Sequence, residues 1–250
     1  MTTKNTWLTL ALCLSMAMNC FSQNLCFKVS TYPLTTAGPA NRTVVAADFN
    51  GDTYPDLVAA NITSSLDVFI NNGNGTYASA VAYTLAGGAH GISCADVDKD
   101  GDQDIVCTLL NDQKISVSLN NGNGTFAAAV NYTAPFTVTN VTTADFNNDT
   151  YPDIAVACLS SGKEMLVFMN TGTGSFNAYV TYTGTATSFG IVATHVNADQ
   201  YPDLVTSCHD NGAIDVFINN GNGTFASAVN YSASTPTANT FSVDASDWNS

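Results

Sequence analysis

A repeat of about fifty residues constrains this chain more than any other feature. The segment Asp48-Phe49-Asn50-Gly51-Asp52-Thr53-Tyr54-Pro55-Asp56-Leu57 returns as Asp96-Val97-Asp98-Lys99-Asp100-Gly101-Asp102-Gln103-Asp104-Ile105. It returns again as Asp145-Phe146-Asn147-Asn148-Asp149-Thr150-Tyr151-Pro152-Asp153-Ile154, and in altered form as His195-Val196-Asn197-Ala198-Asp199-Gln200-Tyr201-Pro202-Asp203-Leu204. The starts lie 48, 49 and 50 residues apart. A second landmark, Asn71-Asn72-Gly73-Asn74-Gly75-Thr76-Tyr77, keeps the same phase at residues 120–126, 170–176 and 219–225. Two landmarks in one phase through four copies define a supersecondary unit, which must bury its apolar face against its neighbours.

Inside a unit the apolar runs are short. Val44-Val45-Ala46-Ala47 enters the acidic segment, Leu57-Val58-Ala59-Ala60 leaves it, and Leu66-Asp67-Val68-Phe69-Ile70 runs into the Asn-Gly segment, from which residues 77–83 emerge. These runs predict four strands per unit, the last two joined by a tight hairpin whose Asn and Gly residues tolerate positive φ. No stretch shows a 3.6-residue apolar period, which excludes helical repeats. Four strands per unit of this length predict an all-β fold, a β-propeller of four-stranded antiparallel blades. A parallel β-helix is the runner-up, but its repeat is about half as long or shorter. The blade units fall at residues 43–90, 91–139, 140–189 and 190–240, with the start of a fifth at 241–250. Residues 27–35 resemble the final strand of a unit and are expected to be a ring-closing outer strand, so the four units are expected to form an incomplete ring.

The acidic segment has the chemistry of a cation loop. A hard cation such as Ca2+ takes six to eight oxygen ligands. Oxygen side chains at positions 1, 3, 5 and 9 of a nine-residue loop, with a backbone carbonyl at position 7, can wrap one ion. The second unit supplies Asp96, Asp98, Asp100 and Asp104, the backbone oxygen of Asp102, and Gly101 for the bend. The first unit offers Asp48, Asn50, Asp52, Tyr54 and Asp56, and the third Asp145, Asn147, Asp149, Tyr151 and Asp153. Thr53 and Thr150 replace the bend glycine there, and since threonine disfavours positive φ these two loops are expected to bend differently or bind more weakly. The fourth keeps Asn197, Asp199, Tyr201 and Asp203 but has His195 at position 1, a ligand Ca2+ seldom chooses, so that site is expected to be weak or empty. Position 12 of an EF-hand would need Glu; here it is Ala59, Cys107, Val156 and Thr206, between strands, which excludes that reading. A metal-free, Asx-rich hairpin turn is the plain alternative for any single copy.

These loops and their period resemble the FG-GAP and VCBS repeat family, whose best-known members form the seven-bladed head of integrin α subunits. The resemblance spans roughly residues 27–250, and the family's Phe-Gly element is plainest at Phe189-Gly190. It implies a Ca2+ loop joining the first two strands of each blade, with the residues above as ligands by position, and two or three further blades in a closed ring.

Acids outnumber bases by 20 to 6, yet 14 of the acids lie in or at the start of the repeated loop, including Asp247. With so few cations there is no footing for phosphate backbones, so neither nucleic acid nor an anionic membrane is an expected partner. Lys4 followed by an apolar run from Trp7 to Met18 reads as a secretory signal over residues 1–22, too short for a membrane span, with Gln23 as the mature N-terminus. A lipoprotein attached through Cys20 is the rival, with Asn19 poorly suited to precede such a cysteine. Cys26, Cys94, Cys107, Cys158 and Cys208 would remain, an odd number at irregular spacing; a bridge between Cys94 and Cys107 across the second loop is the specific expectation. His90, His195 and His209 form no triad or zinc pattern, and no phosphate-binding or nucleophile motif occurs, so no enzymatic activity is expected. The tyrosines of the Tyr-Pro pairs are expected to cap the loops rather than to stack on sugars. The functional expectation is a secreted or cell-surface Ca2+-binding module for adhesion to an extracellular protein or glycan; the other class is a structural or non-catalytic part of a larger exported enzyme.

Overall fold

The computed structural model describes residues 7–8, 32–33, 41–159, 163–232 and 241–246. Four antiparallel four-stranded sheets follow one another along the chain. The first holds β3 (Asn41–Ala47), β4 (Asp56–Asn61), β5 (Ser65–Phe69) and β6 (Val81–Thr84). The second holds β7 (Ala89–Ala95), β8 (Asp104–Leu109), β9 (Lys114–Ser118) and β10 (Val130–Thr133). In the third are β11 (Thr137–Ala144), β12 (Asp153–Leu159), β13 (Glu164–Phe168) and β14 (Val180–Thr183), and in the fourth β15 (Ser188–Thr194), β16 (Asp203–Cys208), β17 (Ala213–Phe217) and β18 (Val229–Ser232). Two short strands, β1 (Trp7–Leu8) and β2 (Tyr32–Pro33), pair with each other. The rest of the signal segment and of the 27–35 strand expected from the sequence lies outside the described residues.

Within each sheet the strands pair in chain order, and in the first three the middle two are buried along almost their whole length, whereas β17 of the fourth is buried only at alternate positions. The second and third sheets are sandwiched between the sheets before and after them, which explains the unbroken apolar run at Ile154–Cys158. The first strands β3, β7, β11 and β15 stand side by side. Thr43 Oγ1 donates to the His90 carbonyl at 2.7 Å, and Thr139 Oγ1 to the Phe189 carbonyl at 2.8 Å. All four first strands carry a register shift at the same place. At two of these bulges a glycine lets the following segment come close: a Cβ on Gly91 would lie 2.8 Å from the Asn140 Cα of β11, and one on Gly190 would lie 3.1 Å from the Ser242 Cα, in a segment without regular structure. The Phe-Gly element at Phe189-Gly190 is therefore a packing device between the first strand of the fourth sheet and the chain on either side of it, Thr139 of β11 and Ser242.

One aromatic joint recurs between sheets. Phe49 of the first sheet meets Phe126 of the second edge to face at 5.3 Å, and Tyr83 meets the same ring at 5.4 Å. Phe146 and Tyr182 of the third hold Phe225 of the fourth in the same way, and Tyr132 holds Phe176. The first and fourth sheets do not close on one another, so among the described residues the ring is incomplete.

Cys94 and Cys107 are thiols, contrary to the bridge expected from the sequence. Cys94 lies opposite Ile105 and Cys107 opposite Ile92, so the two cysteines are diagonal rather than direct partners. Diagonal cross-strand positions stand about 7 Å apart, beyond the reach of a disulfide.

Candidate metal centre

Each acidic loop joins the first strand of a sheet to the second, and its ninth residue, Asp56, Asp104, Asp153 or Asp203, is the first residue of that second strand. All four of these carboxylates are buried. Both oxygens are fixed by backbone N–H groups. Asp104 Oδ2 accepts from Val97 N at 2.8 Å and its Oδ1 from Asn120 N at 2.8 Å. The same pair of bonds recurs at Asp56, Asp153 and Asp203. Position 9 thus ties its own loop to the Asn-Gly hairpin of its own sheet, whatever else it binds.

The second loop brings carboxylate oxygens of Asp96, Asp98 and Asp104 within 4.8 Å of one another. Asp96 Oδ1 is buried and accepts no hydrogen bond, while Asp96 Oδ2 accepts from Gly101 N at 3.1 Å. An acceptor shielded from water and left without a donor is costly unless a cation satisfies it. Burial, and then the nearby Asp98 and Asp100 charges, push the Asp104 carboxyl up to about 6 against the two amides that hold it down. Burial and the adjacent Asp100 and Asp96 also push Asp98 up. Asp100 is exposed and Asp102 half-buried, Asp100 accepting from Asp102 N at 3.0 Å.

The first and third loops satisfy themselves. Asp48 Oδ1 accepts from the N–H groups of Asn50, Gly51 and Asp52, and Oδ2 from Thr53 N at 2.7 Å. Burial pushes the Asp48 carboxyl up, but these four amides outweigh it and hold it below the ordinary carboxylate value. Asn50 Nδ2 donates to Asp52 Oδ2 at 3.0 Å, and Asn147 Nδ2 to Asp149 Oδ2 at 2.9 Å, so an amide occupies a carboxylate oxygen that the second loop leaves open. Asp145 accepts from Asp149 N and Thr150 N. Burial pushes Asp153 up to about 6. In the fourth loop Asn197 Nδ2 donates to Asp199 Oδ2 at 2.8 Å, with His195 in the place of the first carboxylate.

The threonines do not bend their loops differently. Thr53 and Thr150 take φ values of 72° and 79°, in the same region as Gly101 at 102°. Several amides converging on one carboxylate hold this geometry against the cost of a β-branched residue there. At position 7 the side chain lies against a hairpin glycine: Tyr54 on Gly73, Asp102 on Gly122, Tyr151 on Gly172 and Tyr201 on Gly221. A Cβ on Gly73 would come within 2.9 Å of the Tyr54 ring, so the glycine makes room for the tyrosine as well as supplying the turn.

From the sequence, the first asparagine of each hairpin is expected to be a turn residue only. Its amide does more: Asn120 Nδ2 donates to the Gln103 carbonyl of its own loop at 3.0 Å and to the Phe49 carbonyl of the preceding loop at 2.9 Å. Its strict recurrence at the start of a turn that Gly alone could make was the available signal.

A family model described as "FG-GAP-like repeat" matches residues 48–107, 96–156 and 195–250. A comparison with curated proteins finds no match. Among solved structures, the one titled "Crystal structure of BBS1N in complex with ARL6DN, soaked with lead" aligns with a TM-score of 0.54 at 13% identity, over 85% of this chain and 60% of that one. An Agrocybe aegerita lectin, whose title describes recognition of non-reducing terminal N-acetylglucosamine, aligns with a TM-score of 0.39 at 20% identity, over 82% of this chain and 71% of that one. The V. cholerae biofilm matrix protein Bap1 aligns with a TM-score of 0.34 at 18% identity, over 76% and 38%.

Proposed function

The chain belongs to the family of FG-GAP-like repeat proteins, and on that premise we propose that its acidic loops carry Ca2+ as a structural ion in a propeller module that presents its loops to an extracellular protein or glycan. The observation that supports the calcium reading is the second loop, where the carboxylates of Asp96, Asp98 and Asp104 converge and Asp96 Oδ1 is buried without a donor. All-oxygen donors of this kind suit a hard cation. Asp96, Asp98, Asp100 and Asp104 would hold the ion there, with the Asp102 carbonyl. Asp48, Asn50, Asp52 and Asp56 would do so in the first loop, and Asp145, Asn147, Asp149 and Asp153 in the third, once the asparagine amides release their carboxylates. Bound cation would neutralise like charges brought together by folding, a structural role that requires no catalysis. The binding role and an exported location fit the acid-rich, cation-poor chain, and no helix of the described residues is long and apolar enough to cross a membrane.

Thermal melts in CaCl2 and in EDTA test the ion. A ligand at a hundredfold excess over its Kd stabilises a folded protein by about 2.7 kcal/mol per site, so a rise of several degrees is expected. Asp100→Ala should remove more of that rise than Asp199→Ala. A melting temperature indifferent to Ca2+ would refute the calcium reading, and a glycan array with pull-downs, run with Ca2+ and with EDTA, tests the binding role separately.

A further inference from the structure

The cation loops are linked from blade to blade, and the links are side chains of the following blade. Asn120, Asn170 and Asn219 each open an Asn-Gly hairpin and are almost fully buried. Each donates from one Nδ2 to two backbone carbonyls. One belongs to position 8 of its own loop, Gln103, Pro152 or Pro202, at 3.0, 2.9 and 2.9 Å. The other belongs to position 2 of the preceding blade's loop, Phe49, Val97 or Phe146, at 2.9, 2.8 and 2.9 Å.

Position 2 is where a loop is most sensitive to such a bond, because its residue lies between the side chains at positions 1 and 3. In the second loop the Val97 N–H is held by Asp104 and its carbonyl by Asn170 of the third blade. Val97 itself is fully buried, so with Asn170 in place its carbonyl is closed to solvent. A carbonyl stripped of its only donor in such a place turns toward solvent or pays for its burial. Either outcome moves Asp96 relative to Asp98. The second blade therefore does not set its own carboxylate geometry alone. Resting on the calcium reading above, we infer that Asn170 is a positioning residue for the cation site of the second blade, and that Asn120 and Asn219 act in the same way on the first and third. Asn71 serves as the internal contrast, since its Nδ2 donates to Pro55 of its own loop. The fourth loop has no following-blade asparagine among the described residues, and its position-2 residue Val196 is 45% exposed.

Hydrogen exchange read by mass spectrometry through a Ca2+ titration gives one midpoint for each loop. Asn170→Ala, in the third blade, is expected to raise the midpoint of residues 96–104, in the second, about fivefold, the value of one hydrogen bond. Residues 145–153, which lose the Pro152 bond, should shift as well, and residues 48–56 should keep their midpoint. Asn219→Ala repeats the test one blade along, raising the midpoint of residues 145–153, and covers the case in which Asn170→Ala does not fold. A purely structural role would lower the melting temperature in EDTA while leaving the neighbouring blade's midpoint in place. If 96–104 is protected by Ca2+ with an unchanged midpoint in folded Asn170→Ala protein, the positioning role is overturned and the calcium reading stands. If no loop of the unsubstituted protein gains protection from Ca2+, both fall together.

Discussion

At position 6 of the acidic loop, threonine and glycine share one backbone conformation. The strain at Thr150 predicts that Thr150→Asn, a residue tolerant of positive φ, stabilises the protein by about 0.5 to 1 kcal/mol and raises its melting temperature by about 2 °C. A lower melting temperature would show that the threonine is not strained. The buried carboxyls give a second expectation. Asp104 has its folded pKa raised to about 6, above the ordinary value, so its contribution to the cation-free protein is present in acid and lost as pH rises through 6. Ca2+ requires the ionised form, so below pH 6 it must displace a proton. Its affinity for the second loop should fall about fivefold from pH 6 to pH 5, as the ionised fraction drops from about a half to about a tenth, read by the same exchange titration. His90 is shifted the other way: burial lowers it, against the bond from its Nδ1 to the Thr139 carbonyl and with Arg42 nearby, so its contribution weakens as pH falls below the ordinary histidine value. Site-resolved calcium midpoints separate the two effects, which a global melt would mix.

Between elements, the sheets are held by one joint used three times. Position 2 of the loop, Phe49, Val97 or Phe146, is fully buried where another sheet follows and 45% exposed at Val196. Phe146→Ala is therefore expected to cost about 3 to 5 kcal/mol, and Val196→Ala less than about 1 kcal/mol, in denaturant melts. Comparable losses at the two sites would mean that the fourth sheet is covered in solution. The register between β7 and β8 makes its own prediction: mass spectrometry under non-reducing conditions should find Cys94 and Cys107 as free thiols, with burial pushing both up to about 12 and so keeping them unreactive.

For the whole array, the fourth sheet leaves half a joint open. Val196, Ile214, Val216, Ile218, Val229 and Tyr231 line a groove of 340 Å³ on the face that, in the first three sheets, receives the next sheet's aromatic hairpin. Tyr231 is 57% exposed, whereas Tyr83, Tyr132 and Tyr182 are half-buried against Phe126, Phe176 and Phe225. An apolar face of this kind promotes association, so light scattering of the 250-residue chain is expected to show mass growing with concentration. Lysines at Val196 and Tyr231 should suppress it. A compact monomer at every concentration would contradict the open array.

The sequence by itself determined the all-β class, the four-strand unit and the place of each acidic loop, because these follow from local rules: strand-length apolar runs, turn residues that accept positive φ, and oxygen side chains at alternate positions. It also placed the strongest donor set in the second loop, where Asp98 and Gly101 stand in place of the Asn and Thr of the first and third. What lay beyond it depended on residues distant in the chain. That Cys94 and Cys107 miss each other by one diagonal is a matter of register, and no spacing along a strand reveals the partner opposite. Thr53 and Thr150 adopt the glycine conformation because several amides converge on Asp48 and Asp145, a cooperative outcome that single-residue preferences do not contain. The pair of hydrogen bonds donated by Asn170, to carbonyls 18 and 73 positions away, exists only once two blades are stacked, since one of the accepting carbonyls belongs to a different sheet.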